Sequence, residues 1–151
     1  MSFDTATPRI ACYLLLKKDN KYAFVLRANT GWRDGYFGLP AGRVEKNESY
    51  TQAAIREGKE EVGVTLVSSD LKQVLTSHRL EDDSDWVDVV FEAESWSGEV
   101  VNNEPHMHSE LAWFALDDLP ENIIPSLGLM LKQIIEGNNF YEFGWEETTA
   151  N

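Results

Sequence analysis

A chain of 151 residues has the length of one domain and is long enough to bury a substantial hydrophobic core. Its hydrophobic content of 42% and aromatic content of 11% exclude a disordered chain. The formal charge of −13 argues against long nucleic acids and anionic membranes as partners, because so negative a surface repels them. A phosphorylated ligand would need local positive charge, from a metal ion or a few basic residues.

The N-terminal third predicts a β-hairpin, a loop and a helix. The segment IACYLLLKKDNKYAFVLRA has two apolar runs joined by the polar turn Lys18–Lys21, which is typical of a hairpin. A loop rich in glycine and aromatic residues follows at 29–38. Ser49 is a suitable N-cap and Gly63 a suitable stop, so we expect a helix that ends near Val62.

The second half predicts two more antiparallel strands, a short strand and a second helix. The strands LKQVLTSHRL and DWVDVVFEAESW flank the acidic turn EDDSD, and ELAWFALDDLP holds a short strand and a turn. The second helix is predicted over Ile123–Gly137. Its apolar residues recur at three-to-four spacing and are expected to pack in the core: Leu127, Met130, Leu131, Ile134 and Ile135. Strands alternating with two helices predict an α/β fold, a mixed sheet with helices on both faces.

The first predicted helix carries an unusual group of like charges. Glu57, Glu60 and Glu61 lie at positions i, i+3 and i+4, so their carboxylates share one face of the helix. Each like-charge pair destabilises a helix by roughly 0.2–0.5 kcal/mol unless a cation lies among the carboxylates. Oxygen-only ligands favour Mg²⁺ or Mn²⁺, and such Mg²⁺ sites usually also bind phosphate oxygens.

The stretch GRVEKNESYTQAAIREGKEEVGV fits the pattern G-x5-E-x7-R-E-U-x-E-E-x-G-U, in which U is a bulky aliphatic residue. The matching positions are Gly42, Glu48, Arg56, Glu57, Glu60, Glu61, Gly63 and Val64. In this motif the chain resembles the Nudix family. One position departs, because Gly58 replaces the first bulky residue, and glycine in a helix costs about 1 kcal/mol relative to alanine. The flanking segments GWRDGYFGLPAG and SELAWFALDDLP extend the resemblance to about 9–137.

The resemblance implies an α/β/α sandwich that spans residues 1–151 as one Nudix hydrolase domain, with its core at about 9–137 and a tail at 138–151. It also implies Mg²⁺- or Mn²⁺-dependent hydrolysis of a nucleoside diphosphate linked to another moiety. The implied catalytic residues are Glu48, Arg56, Glu57, Glu60, Glu61 and Glu104. The implied metal ligands are Glu57, Glu60, Glu61 and Glu104, with a main-chain carbonyl at Ala41 or Gly42.

Individual roles follow from the same resemblance. Arg56 is expected to pair with Glu48 and to orient the ligand carboxylates. The general base stays open between Glu104, Glu110 and one of the motif glutamates. His106 and His108 lie in the same loop and titrate near neutrality, so either is a candidate phosphate contact.

Two residues that mark other Nudix subfamilies are absent, which narrows the range of candidate substrates. The proline that marks ADP-ribose hydrolases of the family is missing between Pro40 and Pro105, and the tyrosine of one dinucleoside polyphosphate type is missing between Tyr50 and Tyr141. The chain then looks most like the small MutT-like, mutator-type enzymes, which convert a nucleoside triphosphate to a monophosphate and pyrophosphate. The implied candidates for substrate binding are Tyr13, Phe37, Trp86 and Asn122, with Trp113 as a further one.

Two other functions stay open at this point: hydrolysis of another nucleotide diphosphate derivative, such as a nucleotide sugar, and a Nudix-fold domain that senses a nucleotide without cleaving it. The single cysteine, Cys12, cannot form an internal disulfide and is interpreted as a small buried hydrophobe. No leader pattern or apolar run of about 20 residues is visible, so we expect a cytoplasmic protein that binds a small nucleotide. A homodimer is left open.

Overall fold

The computed structural model describes residues 4–145, which form eight strands and two α-helices. In chain order these are β1 (Arg9–Lys18), β2 (Lys21–Arg27), β3 (Phe37–Gly38), β4 (Ala41–Arg43), α1 (Tyr50–Val62), β5 (Lys72–Glu81), β6 (Ser84–Ala93), β7 (His108–Phe114), α2 (Pro125–Ile135) and β8 (Phe140–Phe143). A single 3-10 turn, Ser68–Asp70, precedes β5. Within this range neither helix is long and apolar enough to cross a membrane.

The strands form one mixed sheet in the order β3-β2-β1-β6-β5-β8, with β4 added to β1 and β7 added to β2. β1 runs parallel to β6 and β5 parallel to β8, whereas the other pairs are antiparallel. β1 and β2 pair only next to their turn. Beyond it they diverge, so that β1 pairs with β4 and β2 with β7. The diverging ends of β1 and β2 leave room for β4, and α1 packs against β4.

Local turn chemistry explains both hairpins, β1–β2 and β5–β6. Asp19 and Asn20 join β1 to β2 with φ of 53° and 61°, and Asp82 and Asp83 join β5 to β6 with φ of 51° and 59°. Positive φ at both central residues is the requirement of a tight hairpin turn, and Asn and Asp tolerate it better than other side chains. The predicted hairpins are therefore confirmed.

Helix α1 begins and ends where the sequence predicts. The Ser49 side chain accepts a hydrogen bond from the Gln52 N–H, and the Gln52 side chain accepts one from the Ser49 N–H, which makes a capping box. Gly63 ends the helix in the left-handed region at φ 73°. Both ends of the helix that carries the glutamates are thus fixed by local hydrogen bonds.

Two hydrophobic cores lie on opposite faces of the sheet, one under each helix. Alternate residues of β1 serve both: Cys12 and Leu14 pack on the α1 side, whereas Leu15 packs on the α2 side. Cys12 is fully buried, as predicted, and burial raises the pKa of its thiol to about 12. The predicted α/β/α sandwich is confirmed.

The C-terminal region differs from the prediction in three details. Helix α2 is shorter than expected because Pro125 starts it and Glu136 caps it. Ile135 is 56% exposed and does not join the core stripe, whereas Leu127, Met130 and Leu131 are buried. Strand β8 was not predicted, and it extends the sheet by pairing with β5.

Gly58, the position that departs from the motif, lies in a tightly packed part of the core. A Cβ on Gly58 would lie 2.9 Å from Leu66 Cδ1 and 3.3 Å from Leu14 Cδ1. The volume that a bulky residue would occupy under α1 is therefore already filled by these two leucines. This close packing explains why the helix tolerates glycine here.

Restoring the family residue at this position should therefore be harmful. We expect Gly58→Leu to destabilise the protein by about 1–3 kcal/mol through overpacking, although leucine is the better helix former. Urea unfolding measures the change. The double variant Gly58→Leu/Leu66→Ala should recover part of the loss because the second change vacates the space. A Gly58→Leu protein as stable as the wild type would contradict the packing described here.

Candidate active site

Arg56 lies at the centre of the acidic motif. Its guanidinium donates two hydrogen bonds to the Glu48 carboxylate, at 2.8 and 3.0 Å, and one to Glu57 Oε1 at 2.7 Å. It also donates to Glu60 Oε2 at 3.2 Å and to the Arg43 carbonyl at 3.1 Å. The Arg56 hydrogen bonds lower the pKa of Glu48, with a further contribution from the Glu45 N–H. Arg56 thus ties α1 to β4 and to the loop before the helix.

Glu57 and Glu61 point inward against β4. Glu57 is 8% exposed, and Glu61 Oε2 accepts a hydrogen bond from the Ala41 N–H at 2.9 Å. Any Cβ on Gly42 would overlap the Glu57 carboxylate, which explains why this position holds glycine. The close approach of the β4 main chain to both carboxylates is the geometric core of the site.

Burial raises the pKa of both inward carboxyls. For Glu61 the shift is large, and the neighbouring Glu57 charge adds to the effect of burial. For Glu57 burial also dominates, partly opposed by Arg56. The Glu104 charge also raises the pKa of both carboxyls. Two acidic groups thus lie at the inner side of α1, within the electrostatic reach of a third, Glu104.

Glu60 lies differently from the other two helix glutamates. Its side chain is 52% exposed and forms an i,i+4 ion pair with Arg56. The shared helix face predicted from spacing is therefore divided by the fold: Glu57 and Glu61 face β4, and Glu60 faces solvent. Among residues 4–145 no three acidic, histidine or cysteine side chains lie close enough together to hold an ion.

The chemistry of the donors nevertheless fits a hard divalent cation. All candidate donors are oxygens, two of the carboxylates face inward, and both have a raised pKa. Oxygen-rich sites of this kind suit Mg²⁺ or Mn²⁺, and added positive charge would offset the repulsion within the group. Arg56 binds only Oε1 of Glu57 and the Ala41 N–H binds only Oε2 of Glu61, so the other oxygen of each carboxylate remains available to an ion.

The loop that carries Glu104 is docked onto the end of α1. Val101 donates its N–H to the Val62 carbonyl and Asn103 donates its N–H to the Glu61 carbonyl, both at 3.0 Å. The Asn103 side chain also donates to the Glu60 carbonyl at 3.1 Å. These bonds satisfy carbonyls that a helix end leaves unpaired and hold Glu104 near the site. Sequence reasoning did not single out Asn103.

The other candidates for base or phosphate contact lie elsewhere. Glu110 is exposed on β7, opposite Leu26 of β2. His106 is exposed, and its carbonyl accepts a hydrogen bond from the Asn29 side chain. His108 is only 3% exposed, and burial lowers its pKa, so it is neutral near pH 7.

A pocket of about 540 Å³ adjoins the acidic group on the α2 side of the sheet. Ala41 and Gly42 belong to its wall, so the pocket and the inward glutamates share β4. Two of the predicted substrate-binding residues, Tyr13 and Trp86, line the pocket. Phe37 packs on Phe114 in the core and Asn122 donates to the Gly35 carbonyl, so neither of them is part of the wall.

Four arginines that sequence reasoning missed line the same pocket: Arg9, Arg27, Arg43 and Arg79. The charge of Arg27 also lowers the pKa of Glu61, against the larger effect of burial. One signal was available, because Arg9 and Tyr13 are four apart in a strand and therefore share a face. The pocket is thus a local cationic surface on an acidic protein.

The NUDIX domain model matches residues 6–134. The chain belongs to the Nudix family. Nudix hydrolase YvcI of Bacillus subtilis is 28% identical over 127 residues, which cover 82% of this chain and 77% of that protein. An ADP-ribose pyrophosphatase of Methanocaldococcus jannaschii is 31% identical over 114 residues, covering 76% of this chain and 66% of the relative.

A longer relative and a solved structure also belong to the Nudix family. The NAD-capped RNA hydrolase NudC of Citrobacter koseri is 31% identical over 129 residues, which cover 85% of this chain but only 48% of NudC. This chain therefore spans about half the length of NudC. The crystal structure of a MutT NUDIX hydrolase from Burkholderia pseudomallei superposes with a TM-score of 0.76, at 31% identity over 85% of this chain and 98% of that one. These Nudix relatives support a pyrophosphohydrolase enzyme.

Proposed function

We propose that this Nudix protein hydrolyses the diphosphate bond of a small nucleotide, with a nucleoside triphosphate as the first candidate substrate and a monophosphate and pyrophosphate as products. The observation that carries the proposal is the pairing of Glu57 and Glu61 against β4 beside an arginine-lined pocket. The carboxylates offer a cation site, and the pocket offers space for the nucleotide.

In this proposal the acidic residues bind the metal ion and Arg56 orients them. Glu57, Glu60, Glu61 and Glu104 would hold Mg²⁺ or Mn²⁺, with the Ala41 or Gly42 carbonyl as a further oxygen donor. The ion supplies positive charge against the diphosphate oxygens and acidifies an attacking water. Arg56 fixes Glu57 and Glu48 through hydrogen bonds, which keeps the ligand carboxylates oriented.

Proton removal from the attacking water needs a carboxylate close to the inward pair. Glu104 fits this role best, as the alternative to its role as a metal ligand, because Asn103 holds its loop against the end of α1. Glu110 is less suited because it is exposed on β7. The two histidines remain weaker candidates for a phosphate contact.

A second substrate class is favoured by one specific observation. The M. jannaschii relative is named an ADP-ribose pyrophosphatase, although the proline associated with that activity is absent here. ADP-ribose and nucleotide sugars therefore belong in the same assay as the triphosphates. A sensing domain without hydrolysis is disfavoured, because the motif retains all its carboxylates.

A panel assay tests the proposal. Nucleoside triphosphates, ADP-ribose, nucleotide sugars and dinucleoside polyphosphates are incubated with the protein and Mg²⁺ or Mn²⁺, and the products are separated by ion-exchange chromatography. We expect cleavage within the diphosphate that stops when EDTA is added. Absence of cleavage across the panel, with nucleotide binding retained, would favour the sensing domain.

A matched pair of glutamates tests the assignment of the site. Glu60→Gln and Glu136→Gln each remove one exposed carboxylate near a helix end, but only Glu60 belongs to the motif. We expect Glu60→Gln to lower kcat by about 100-fold or more and Glu136→Gln to leave it near the wild-type value. Equal activity of the two variants would remove Glu60 from the ligand set.

A further inference from the structure

Trp86 lies in the pocket among three guanidinium groups. The Cζ atoms of Arg79, Arg43 and Arg9 lie 4.8, 5.5 and 5.6 Å from the centre of the indole ring. All three distances are within the range of a cation–π contact. The indole is therefore engaged by the protein's own cations, and it acts as a platform for arginines more readily than as a stacking surface for a base.

The strand register creates this arrangement. Arg9 of β1 and Arg79 of β5 are both direct partners of Trp86 on β6, so the three side chains share one face of the sheet. Arg43 comes from β4, which pairs with β1 on its other edge. Four separate strands thus contribute to one small surface.

The three arginines differ in how their charge is matched. Arg79 is 5% exposed and is paired with Asp88 at 2.7 Å and with Glu81 at 3.2 Å. Arg9 and Arg43 are exposed, and within residues 4–145 neither forms an ion pair. Arg9 and Arg43 are therefore two unmatched cations beside Arg79, which is already neutralised. Arg27, elsewhere in the wall, forms hydrogen bonds to Thr30 and Trp32 but no ion pair within the described residues.

The acidic side chains of the pocket are engaged elsewhere, although the chain has 26 acidic and 13 basic residues. Glu81 and Asp82 line the pocket as well, but Glu81 is engaged by Arg79, and Asp82 accepts a long hydrogen bond from the Trp32 indole at 3.5 Å. A contact with an indole offsets only about 0.5–1 kcal/mol of the repulsion at an exposed site. The arrangement fits an anion that comes from outside the protein.

We propose that Arg9 and Arg43 bind a second phosphate group of the substrate, one that is not part of the diphosphate that is cleaved. This inference rests on the proposed function, because it places the cleaved diphosphate at Glu57 and Glu61, on the other side of β4. Ala41 and Gly42 belong to both places, so the two places adjoin each other at β4. Two guanidiniums match the double charge and the several acceptor oxygens of a phosphate monoester.

Matched substrate pairs provide the test. Coenzyme A and dephospho-coenzyme A differ by one 3′-phosphate, and 2′-phospho-ADP-ribose and ADP-ribose differ by one 2′-phosphate. We expect kcat/KM to be about tenfold higher for the phosphorylated member of at least one pair, as for a hydrogen bond to a charged group. UDP-glucuronate and UDP-glucose give the carboxylate comparison. A preference for the carboxylate without one for the phosphate would overturn the assignment.

Variants connect the preference to the two arginines. Arg9→Gln and Arg43→Gln should each reduce the ratio of kcat/KM within the preferred pair towards 1. Arg33→Gln is the matched control, because Arg33 also contacts aromatic rings, Trp32 and Tyr36, but does not line the pocket. If both pocket variants keep the wild-type ratio of kcat/KM, or if the wild-type protein does not prefer the phosphorylated substrate, the phosphate site is overturned. The proposed hydrolysis would not be affected by either result.

A binding measurement separates this inference from the proposed function. Isothermal titration without metal compares adenosine 2′,5′-bisphosphate and adenosine 3′,5′-bisphosphate with AMP. We expect at least one bisphosphate to bind more tightly than AMP, and we expect Arg9→Gln to remove the difference. If no diphosphate is hydrolysed but this difference is found, the proposed function fails and the phosphate site stands. Equal affinity for AMP and the two bisphosphates would contradict the phosphate site, whatever the result of the hydrolysis assay.

Discussion

Replacing Glu61 by glutamine is expected to lower kcat/KM by about 100-fold or more and, at the same time, to raise the melting temperature of the metal-free protein. The two effects have one cause. Glu61 is held against β4 in surroundings that disfavour its negative charge. That charge contributes to function only when a cation binds beside it. Glutamine keeps an acceptor oxygen for the Ala41 N–H but has no charge to offer a metal ion.

The pH dependence of stability should report the same carboxyl. Burial and Glu57 raise the pKa of Glu61 in the folded protein, so the unfolded chain releases this proton at lower pH than the folded one. As pH rises from the unfolded pKa of about 4.3, the folded state holds more protons and the free energy of unfolding decreases. The loss is complete above the folded pKa. Glu61→Gln removes this part of the pH dependence, and the smaller part from Glu57 stays.

Thermal unfolding in EDTA between pH 5 and 8, followed by circular dichroism, checks this expectation. Glu136→Gln is the control, because Glu136 is exposed and its loss should leave both the melting temperature and its pH dependence nearly unchanged. In the presence of Mg²⁺ the order should reverse, since only the wild type gains stability by binding the ion. A Glu61→Gln protein that is less stable than the wild type in EDTA would mean that the carboxylate is well satisfied without metal.

The parts of the fold that were predictable depend on short-range signals. The ends of α1 follow from Ser49 and Gly63, and the hairpin turns follow from Asp and Asn pairs, all of which act within a few residues. The apolar stripe of α2 and the alternation in β1 place the two cores. The motif itself is also local, so the spacing of Arg56 and its glutamates is enough to place them on one helix.

The parts that were not predictable depend on contacts between distant residues. Strand β8 forms because Phe140–Phe143 meets β5, and the space that Gly58 leaves is filled by Leu66. The three glutamates are equivalent by spacing, and only the position of β4 decides that Glu57 and Glu61 face inward while Glu60 stays exposed. The arginines around Trp86 come from three strands and Trp86 from a fourth, so their meeting depends on sheet register.

Replacing Arg56 should have the second large effect, because it removes the positive charge that donates hydrogen bonds to three carboxylates. Arg56→Ala is expected to destabilise the protein by about 2–3 kcal/mol, since Glu48 and Glu57 would be left with little solvent and no cation. Their side chains are only 14% and 11% exposed. Activity should fall by at least about tenfold, because Glu57 loses the contact that orients it.

Lysine at this position separates charge from geometry. Arg56→Lys keeps the charge, but one ammonium cannot reproduce the paired hydrogen bonds to Glu48 together with those to Glu57 and the Arg43 carbonyl. We therefore expect most of the stability to be retained and most of the activity loss to remain. Urea unfolding and kcat/KM at saturating Mg²⁺ measure the two quantities.

A double variant distinguishes orientation from simple charge balance. In Arg56→Ala/Glu48→Gln, one of the unpaired carboxylates is removed, so part of the lost stability should return through coupling between the two sites. Activity should not return, because Glu57 still lacks its hydrogen-bond donor. Should activity recover together with stability, Arg56 would matter only for folding. Orientation of the ligand carboxylates would then have to come from β4 alone, through the Ala41 N–H and the close approach of Gly42.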